Sequence, residues 1–264
     1  MPEKLFIKIG GSFLTDKTKA DSLDESRIHI IARAIANALQ KTDIQLVLGH
    51  GAGAYGHIHA KQYQAQSGIH PEFGWEAFYR IRRDMISMNA RFLHACNEAG
   101  LYPITVQPSA IITALHGEIV SIHSRVIRKL VDYRQIPLIH GDIVVDEKQG
   151  FTIASTEDIL TAIAQTMQFD RVIMISDVPG VLDENGDIIP VINRDNFDTV
   201  MNCLSGSRGI DVTGGMKGKV EQLVSLINAG HFSQANITTC DPKDSSVLSD
   251  LITGNRKSGT LITL

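Results

Sequence analysis

The sequence predicts an α/β protein on a mainly parallel sheet, and three observations predict it. Short apolar runs alternate with longer segments of helical period, and glycine clusters follow strands or open helices at three places. The 264 residues are 43% hydrophobic and 20% charged, the balance of a globular chain with a large core. At this length a compact fold buries roughly three quarters of its unfolded surface, as one domain or two intimate lobes.

The first run, Lys4 to Ile9, reads as a buried strand that carries Lys8 to its end, just before Gly10-Gly11-Ser12. A solvated lysine is the ordinary alternative, and it fits poorly at the end of an apolar strand. Open α/β sheets hold ligands at that edge, and glycines let consecutive N–H groups approach phosphate oxygens. A helix is expected from Asp24 to Gln40 and a second strand from Ile44 to Leu48. Then comes His50-Gly51-Ala52-Gly53-Ala54-Tyr55-Gly56-His57, read as another loop with room for an anion. A helix from Gly74 to Ala99 sets Phe78, Ile81, Met85, Met88 and Phe92 at steps of three and four, one apolar stripe. Strands follow at Tyr102 to Val106 and Ile136 to Ile139, with a helix from Ser124 to Arg134 between them. A hairpin spans Ile143 to Ile153, turning near Glu147 to Gly150, and a helix from Ser155 to Gln168 precedes a strand from Arg171 to Ile175. The third glycine cluster, Asp211 to Lys219, leads into a helix from Met216 to Ala229, whose N-terminus favours an anion. Strands at Ala235 to Thr239 and Thr260 to Leu264 complete the pattern.

A single glycine cluster is as often turn punctuation as a ligand site; three at one sheet edge make the stronger signal. The third is no Walker A loop, being one residue short with Val220 where Ser or Thr should stand. Gly51, Gly53 and Gly56 match dinucleotide spacing formally, but the lysines ask for phosphate chemistry. Three scattered cysteines, Cys96, Cys203 and Cys240, suggest neither a disulfide framework nor a zinc site. The first residues do not read as a signal peptide, and no apolar run approaches the ~18 residues of a membrane span. A formal net charge of -4 argues against binding nucleic acid through its phosphate backbone.

Lys8 through Lys17, the His50 to His57 segment, Gly141-Asp142, Ser176 to Val181 and Thr213 to Lys219 together resemble the amino acid kinase superfamily over essentially the whole chain. Within it the pattern is most similar to isopentenyl phosphate kinases. His57, the last residue of H-G-x-G-x-x-G-H, separates these and fosfomycin kinases from the acetylglutamate, aspartate, uridylate and carbamate kinases. Ala60-Lys61-Gln62-Tyr63 and Gln107-Pro108-Ser109 are similar to the same branch. The resemblance implies a three-layer αβα sandwich forming a single domain over 1–264. An acceptor-binding and dimerisation lobe would occupy about 1–170 and a nucleotide lobe 171–264. It implies a cytoplasmic homodimer with no nucleic-acid or membrane partner, which uses ATP and Mg2+ to convert isopentenyl phosphate to the diphosphate. A fosfomycin kinase and a non-catalytic ligand-binding relative are the alternatives.

On the matching positions, Lys8 and Lys219 are implied as transition-state cations, one from each lobe, with Asp142 orienting both through ion pairs. His57 is implied as the hold on the acceptor's phosphate. ATP binding falls to Lys8, Gly10, Gly11, Ser12, Lys17, Ala52, Asp177, Gly215, Lys217 and Lys219. Acceptor binding falls to Gly51, Gly56, His57 and Gly141, with Phe78, Ile81 and Met85 walling an isoprenoid tail. Magnesium arrives on ATP, so no protein metal site is expected. The chain departs from the pattern at Ala52, which replaces a glycine, and at Pro179, where an aspartate is frequent. Thr156-Glu157 stands where the family more often has Gly-Asp, so Glu157 receives no role. The plainer readings are a turn aspartate for Asp142, metal ligation with His50 and His59 for His57, and core packing for the stripe.

Overall fold

A computed structural model describes residues 2–16, 19, 22–206, 215–241, 244–255 and 258–264. In chain order the strands among them are β1 (Glu3–Ile9), β2 (Ile44–His50), β3 (Ile104–Thr105), β4 (Ile112–Leu115), β5 (Glu118–Ile122), β6 (Pro137–His140), β7 (Asp142–Asp146), β8 (Gly150–Ala154), β9 (Arg171–Ile175), β10 (Val191–Ile192), β11 (Gln234–Thr238) and β12 (Thr260–Thr263). The helices are α1 (Gly11–Leu14), α2 (Glu25–Leu39), α3 (Gly53–Gln62), α4 (Glu76–Glu98), α5 (Pro108–Ile111), α6 (Arg125–Asp132), α7 (Thr156–Ala164), α8 (Phe197–Gly206), α9 (Gly215–Asn228) and α10 (Ser246–Ile252). The main sheet runs β10-β12-β11-β9-β1-β2-β6-β3, parallel except where β12 meets β11, and a smaller sheet runs β5-β4-β7-β8.

The central strands read as unbroken apolar runs because both faces are covered. Leu5, Ile7, Ile9, Leu48 and Ile173 face α2, α4 and α10 through Ile31, Met88, Phe92 and Leu251. Phe6, Val47, Ile139, Val172 and Ile237 face the opposite layer, where Ile127 of α6, Ile163 of α7 and Leu223 of α9 pack. The result is the expected three-layer αβα sandwich. Asp24 caps α2 by accepting the Arg27 N–H at 3.2 Å, and Ser155 with Asp158 forms a capping box on α7. The expected hairpin is β7 and β8; the Asp146 carboxylate accepts N–H groups from Gly117, Lys148 and Gln149 at its turn.

Three local readings change. The hairpin of β4 and β5 escaped the pattern because its turn puts His116 at φ 52 before Gly117 at φ 87, a conformation signalled far more often by Asn-Gly. The strand expected from Tyr102 to Val106 shrinks to Ile104–Thr105 at the edge of the main sheet, where Pro103 has no N–H to give a ladder. After β2 the expected loop is only Gly51-Ala52; from Gly53 the chain is helical, so Gly56 and His57 lie on α3. No helix among the described residues is long and apolar enough to cross a membrane.

Candidate active site

The parallel register brings four strand ends together: Ile9 lies opposite His50 and Ile175, and His50 lies opposite His140. The segments that follow, Gly10-Gly11, Gly51-Ala52, Gly141 and Ser176-Asp177, therefore emerge on one edge of the sheet, where such sheets bind ligands. Two of these turns pack backbone against backbone. A Cβ on Gly11 would lie 2.2 Å from Gly53 N, and one on Gly51 would lie 2.7 Å from Gly11 N. Gly53 also has φ +52, with Thr15 Oγ1 2.2 Å from where its Cβ would be. Glycine is needed here first for loop packing, and only then for access to a ligand.

Hydrogen bonding sorts the expected phosphate donors. Gly10 N donates to Ile175 O at 2.7 Å, Gly51 N to Ile9 O at 2.9 Å, Gly56 N to Ala52 O at 3.4 Å and Gly141 N to His50 O at 3.2 Å. Those four N–H groups are engaged inside the fold, which corrects the expectation that Gly10, Gly51 and Gly56 offer theirs to phosphates. The N–H groups of Gly11, Ser12, Ala52 and Gly53 have no partner among the described residues and stand as donors at the same edge. Asp177, exposed after β9, accepts from the Ser176 hydroxyl at 3.1 Å.

Lys8 is 6% exposed, and its Nζ lies 2.6 Å from Glu157 Oε1. Glu157 stands in the first turn of α7, which settles on the sheet because β2 presents Gly49 beside Lys8; a Cβ there would meet Thr156 Cγ2 at 2.9 Å. Burial pushes the Glu157 carboxyl up, but the Lys8 charge, the Lys8 hydrogen bond and the Lys219 charge together hold it below the ordinary glutamate value. Glu157 thus sits in the field of both predicted lysines. Gln222 of α9 donates to Thr161 of α7 at 2.9 Å, tying together the helices that carry Lys219 and Glu157. Lys217 lies 3.9 Å from Glu221, and Gly215 opens α9. Lys17, Thr213 and Gly214 lie outside the described residues.

Asp142 does not take the place expected of it. Its fully buried carboxylate faces Arg82 Nε at 3.7 Å and accepts the N–H groups of Ser109 at 3.4 Å and Ile143 at 3.0 Å. Burial raises it to about 6 against the opposing pull of Arg82 and these N–H groups. The contact expected between Asp142 and Lys8 is made by Glu157 instead. The S-x-x-D box after a strand was a legible sign of a helix start; only the Thr-Glu departure hid the acid within it.

The three neighbouring histidines face different surroundings. His57 is exposed on α3. His50 is fully buried, stacked on Phe92 at 4.6 Å and on His140 at 5.3 Å, while His59 pairs with Asp84. Ala60 of α3 and Tyr63, just past its end, pack with Ile81, Phe78, Ile143 and Phe151 in an apolar cluster. Ile81 and Met85 are each 1% exposed, so both are core residues of α4; Phe78 is half-buried, between Trp75 and Phe151. A Cβ on Gly56 would meet Ala52 Cβ at 2.5 Å and Met85 Sδ at 3.4 Å, so glycine is required here chiefly by the turn that opens α3, with Met85 of α4 in contact beside it.

The model of the amino acid kinase family matches residues 3–233. An isopentenyl phosphate kinase of Methanocaldococcus jannaschii is 35% identical over 82% of this chain and 85% of its own. One of Haloferax volcanii is 34% identical over 85% of this chain and 89% of its own. Among solved structures, an isopentenyl phosphate kinase superposes with a TM-score of 0.80 at 24% identity, covering 98% of this chain and all of that one, a likeness of fold.

Proposed function

The chain belongs to the amino acid kinase family, and from that premise we propose that it is an isopentenyl phosphate kinase, converting isopentenyl phosphate and ATP to isopentenyl diphosphate and ADP. The observation that carries the substrate is the apolar cluster in which Ala60 and Tyr63, three and six residues after exposed His57, join Phe78, Ile81 and Phe151. A phosphate held at His57 would put its organic substituent against carbon, which suits a five-carbon isoprenoid better than a small polar phosphonate.

In this reading the acceptor's phosphate oxygen attacks the γ-phosphorus of ATP. The new O–P bond forms as the bond to the β-phosphate oxygen breaks, and ADP leaves. The attacking oxygen is already ionised near neutral pH, so no general base is required and His57 serves to hold the acceptor. Lys8 and Lys219 set positive charge where the transferred group spreads negative charge, and Glu157 holds Lys8 in place. Gly11, Ser12, Ala52 and Gly53 supply backbone donors to phosphates, with Lys17, Asp177, Gly215 and Lys217 completing the nucleotide side and Gly141 the acceptor side. Mg2+ would arrive on ATP, held largely by phosphate oxygens and water. The chain divides functionally near residue 170, the acceptor lobe before and the nucleotide lobe after it.

The same reading places the enzyme in the cytoplasm and in isoprene biosynthesis. It makes the enzyme a homodimer through its N-terminal half, where Trp75, Tyr79 and Ile86 expose one apolar face of α4. A coupled ADP-release assay across isopentenyl phosphate, dimethylallyl phosphate, fosfomycin and the amino acid acceptors tests it. Turnover confined to fosfomycin or an amino acid would overturn the assignment.

A further inference from the structure

Among the described residues, few buried side-chain polar atoms lack a hydrogen-bond partner, and three of them, Arg82 Nη1, Gln107 Oε1 and His140 Nε2, belong to one quarter of the molecule. Arg82 faces Asp142; His140 stands two residues before that aspartate and within the field of Arg82. Gln107 stands two residues before Ser109, whose N–H reaches Asp142. A buried guanidinium N–H without an acceptor is costly and calls for an explanation. The pairing with Asp142 leaves it unexplained, because that contact runs through Nε at 3.7 Å and uses neither the bidentate fork nor Nη1.

The place of Arg82 supplies one. Asp142 directly follows Gly141 at the carboxyl end of β6, and Met85, one helical turn beyond Arg82, packs at Gly56 beside His57. Arg82 therefore stands over the corner between the two segments that take the acceptor's phosphate in the proposed function. We propose that Arg82 is a substrate-binding residue whose Nη1 donates to an oxygen of the acceptor's phosphate, with Asp142 as the positioning residue that aims the guanidinium. His140 donates its Nδ1 proton to Gly141 O at 3.0 Å, so Nε2 carries a lone pair. A water of the phosphate's hydration shell gives that lone pair, and Gln107 Oε1, the donor they lack. The inference rests on the reading of the protein as a kinase of small phosphates, and it adds a cationic hold on the acceptor's phosphate besides His57.

The test separates a substrate contact from a mere counter-ion for Asp142. Arg82→Lys keeps the ion pair and loses the fork; it is expected to raise the acceptor KM ~10-fold or more while the ATP KM stays within about twofold. The double variant Arg82→Met, Asp142→Asn leaves no unpaired charge, with Asp142→Asn alone as reference. Acceptor KM that stays high in the double variant supports the contact, and recovery to the value of Asp142→Asn alone overturns it. Turnover of isopentenyl phosphate by the unaltered protein tests the kinase reading separately. Calorimetry with inorganic phosphate, without ATP, tests Arg82 whether or not that turnover is seen. Weaker phosphate binding in Arg82→Lys supports the proposal; equal binding in the two proteins, or none in either, overturns it.

Discussion

Lys8 and Glu157, 149 residues apart in the chain, meet at 2.6 Å between Nζ and Oε1 at the ligand edge of the sheet. Both side chains are largely buried, so the carboxylate fixes where the ammonium points. Lys8→Ala is expected to lower kcat ~10²-fold or more, as does removal of a preorganised charge from a phosphoryl-transfer site. Glu157→Gln leaves a hydrogen-bond acceptor but no charge, and should lower kcat by a smaller factor, on the order of 10-fold, with ATP KM little changed. Steady-state kinetics on both variants decide this; wild-type kcat in Glu157→Gln would remove Glu157 from the mechanism.

Replacing His57 tests the hold on the acceptor. His57→Ala should cripple turnover and raise the acceptor KM, while His57→Gln, which keeps a donor, should retain a fraction of the activity. Since His57 is exposed on α3, neither change should lower Tm by more than a few degrees. Unchanged kcat and acceptor KM in His57→Ala would contradict the role.

Gly11→Ala probes the contact between the two glycine turns. Its Cβ would fall 2.2 Å from Gly53 N and 2.6 Å from Gly53 Cα, both backbone atoms, so one turn must move. Thermal unfolding should show a loss of ~1–3 kcal/mol, the usual cost of overpacking, and in the proposed function kcat should fall with it, since Gly11 and Gly53 would offer their N–H groups to phosphates. A variant as stable and active as the parent would show that the turns are not locked together.

The three residues proposed for the tail site separate into core and wall. Ile81→Ala and Met85→Ala remove fully buried side chains and should cost ~2–5 kcal/mol, whereas Phe78 is half-buried and in the proposed function would wall the tail site. Phe78→Ala is expected to raise kcat/KM for geranyl phosphate relative to isopentenyl phosphate, each accommodated CH2 being worth ~0.8 kcal/mol. Activity on five-, ten- and fifteen-carbon phosphates, read beside Tm, decides between these roles. An unchanged length preference in all three variants would leave only the core.

Acid stability reports on the buried histidine stack. Burial, reinforced by the neighbouring His140, pushes His50 down to about 3, and burial pushes His140 down to about 4. The unfolded chain takes up protons on both near pH 6.5, while the folded chain does so only near 3 to 4. Their contribution is therefore complete above about pH 6.5 and is lost as the pH falls from there toward 4. Asp142, raised to about 6 by burial, works the other way between about pH 4 and 6, where the folded state holds the extra proton. His140→Asn should flatten the fall in stability between pH 6.5 and 4 by up to one proton, ~1.4 kcal/mol per pH unit. Urea titrations at half-unit pH steps measure it; an unaltered slope would show that His140 titrates normally.

Much of this protein was readable along the chain. Short apolar runs, a 3.6-residue stripe from Phe78 to Phe92 and glycines after strands are set by neighbours within about ten residues, so the α/β class, the mainly parallel sheet and the place of Lys8 at a strand end follow from local sequence alone. Contacts between distant segments were not readable, because they depend on strand register. That register, Lys8 beside Gly49, lets α7 settle and bring Glu157 to Lys8, while Asp142, one residue past Gly141, turns to Arg82. It likewise buries His50 between Phe92 and His140 and leaves His57, seven residues on, in solvent, a division made only when β2, β6 and α4 come together. Local propensity is written in short windows, but the partner of a buried charge is decided by which chain segment the assembled sheet places within about 4 Å of it.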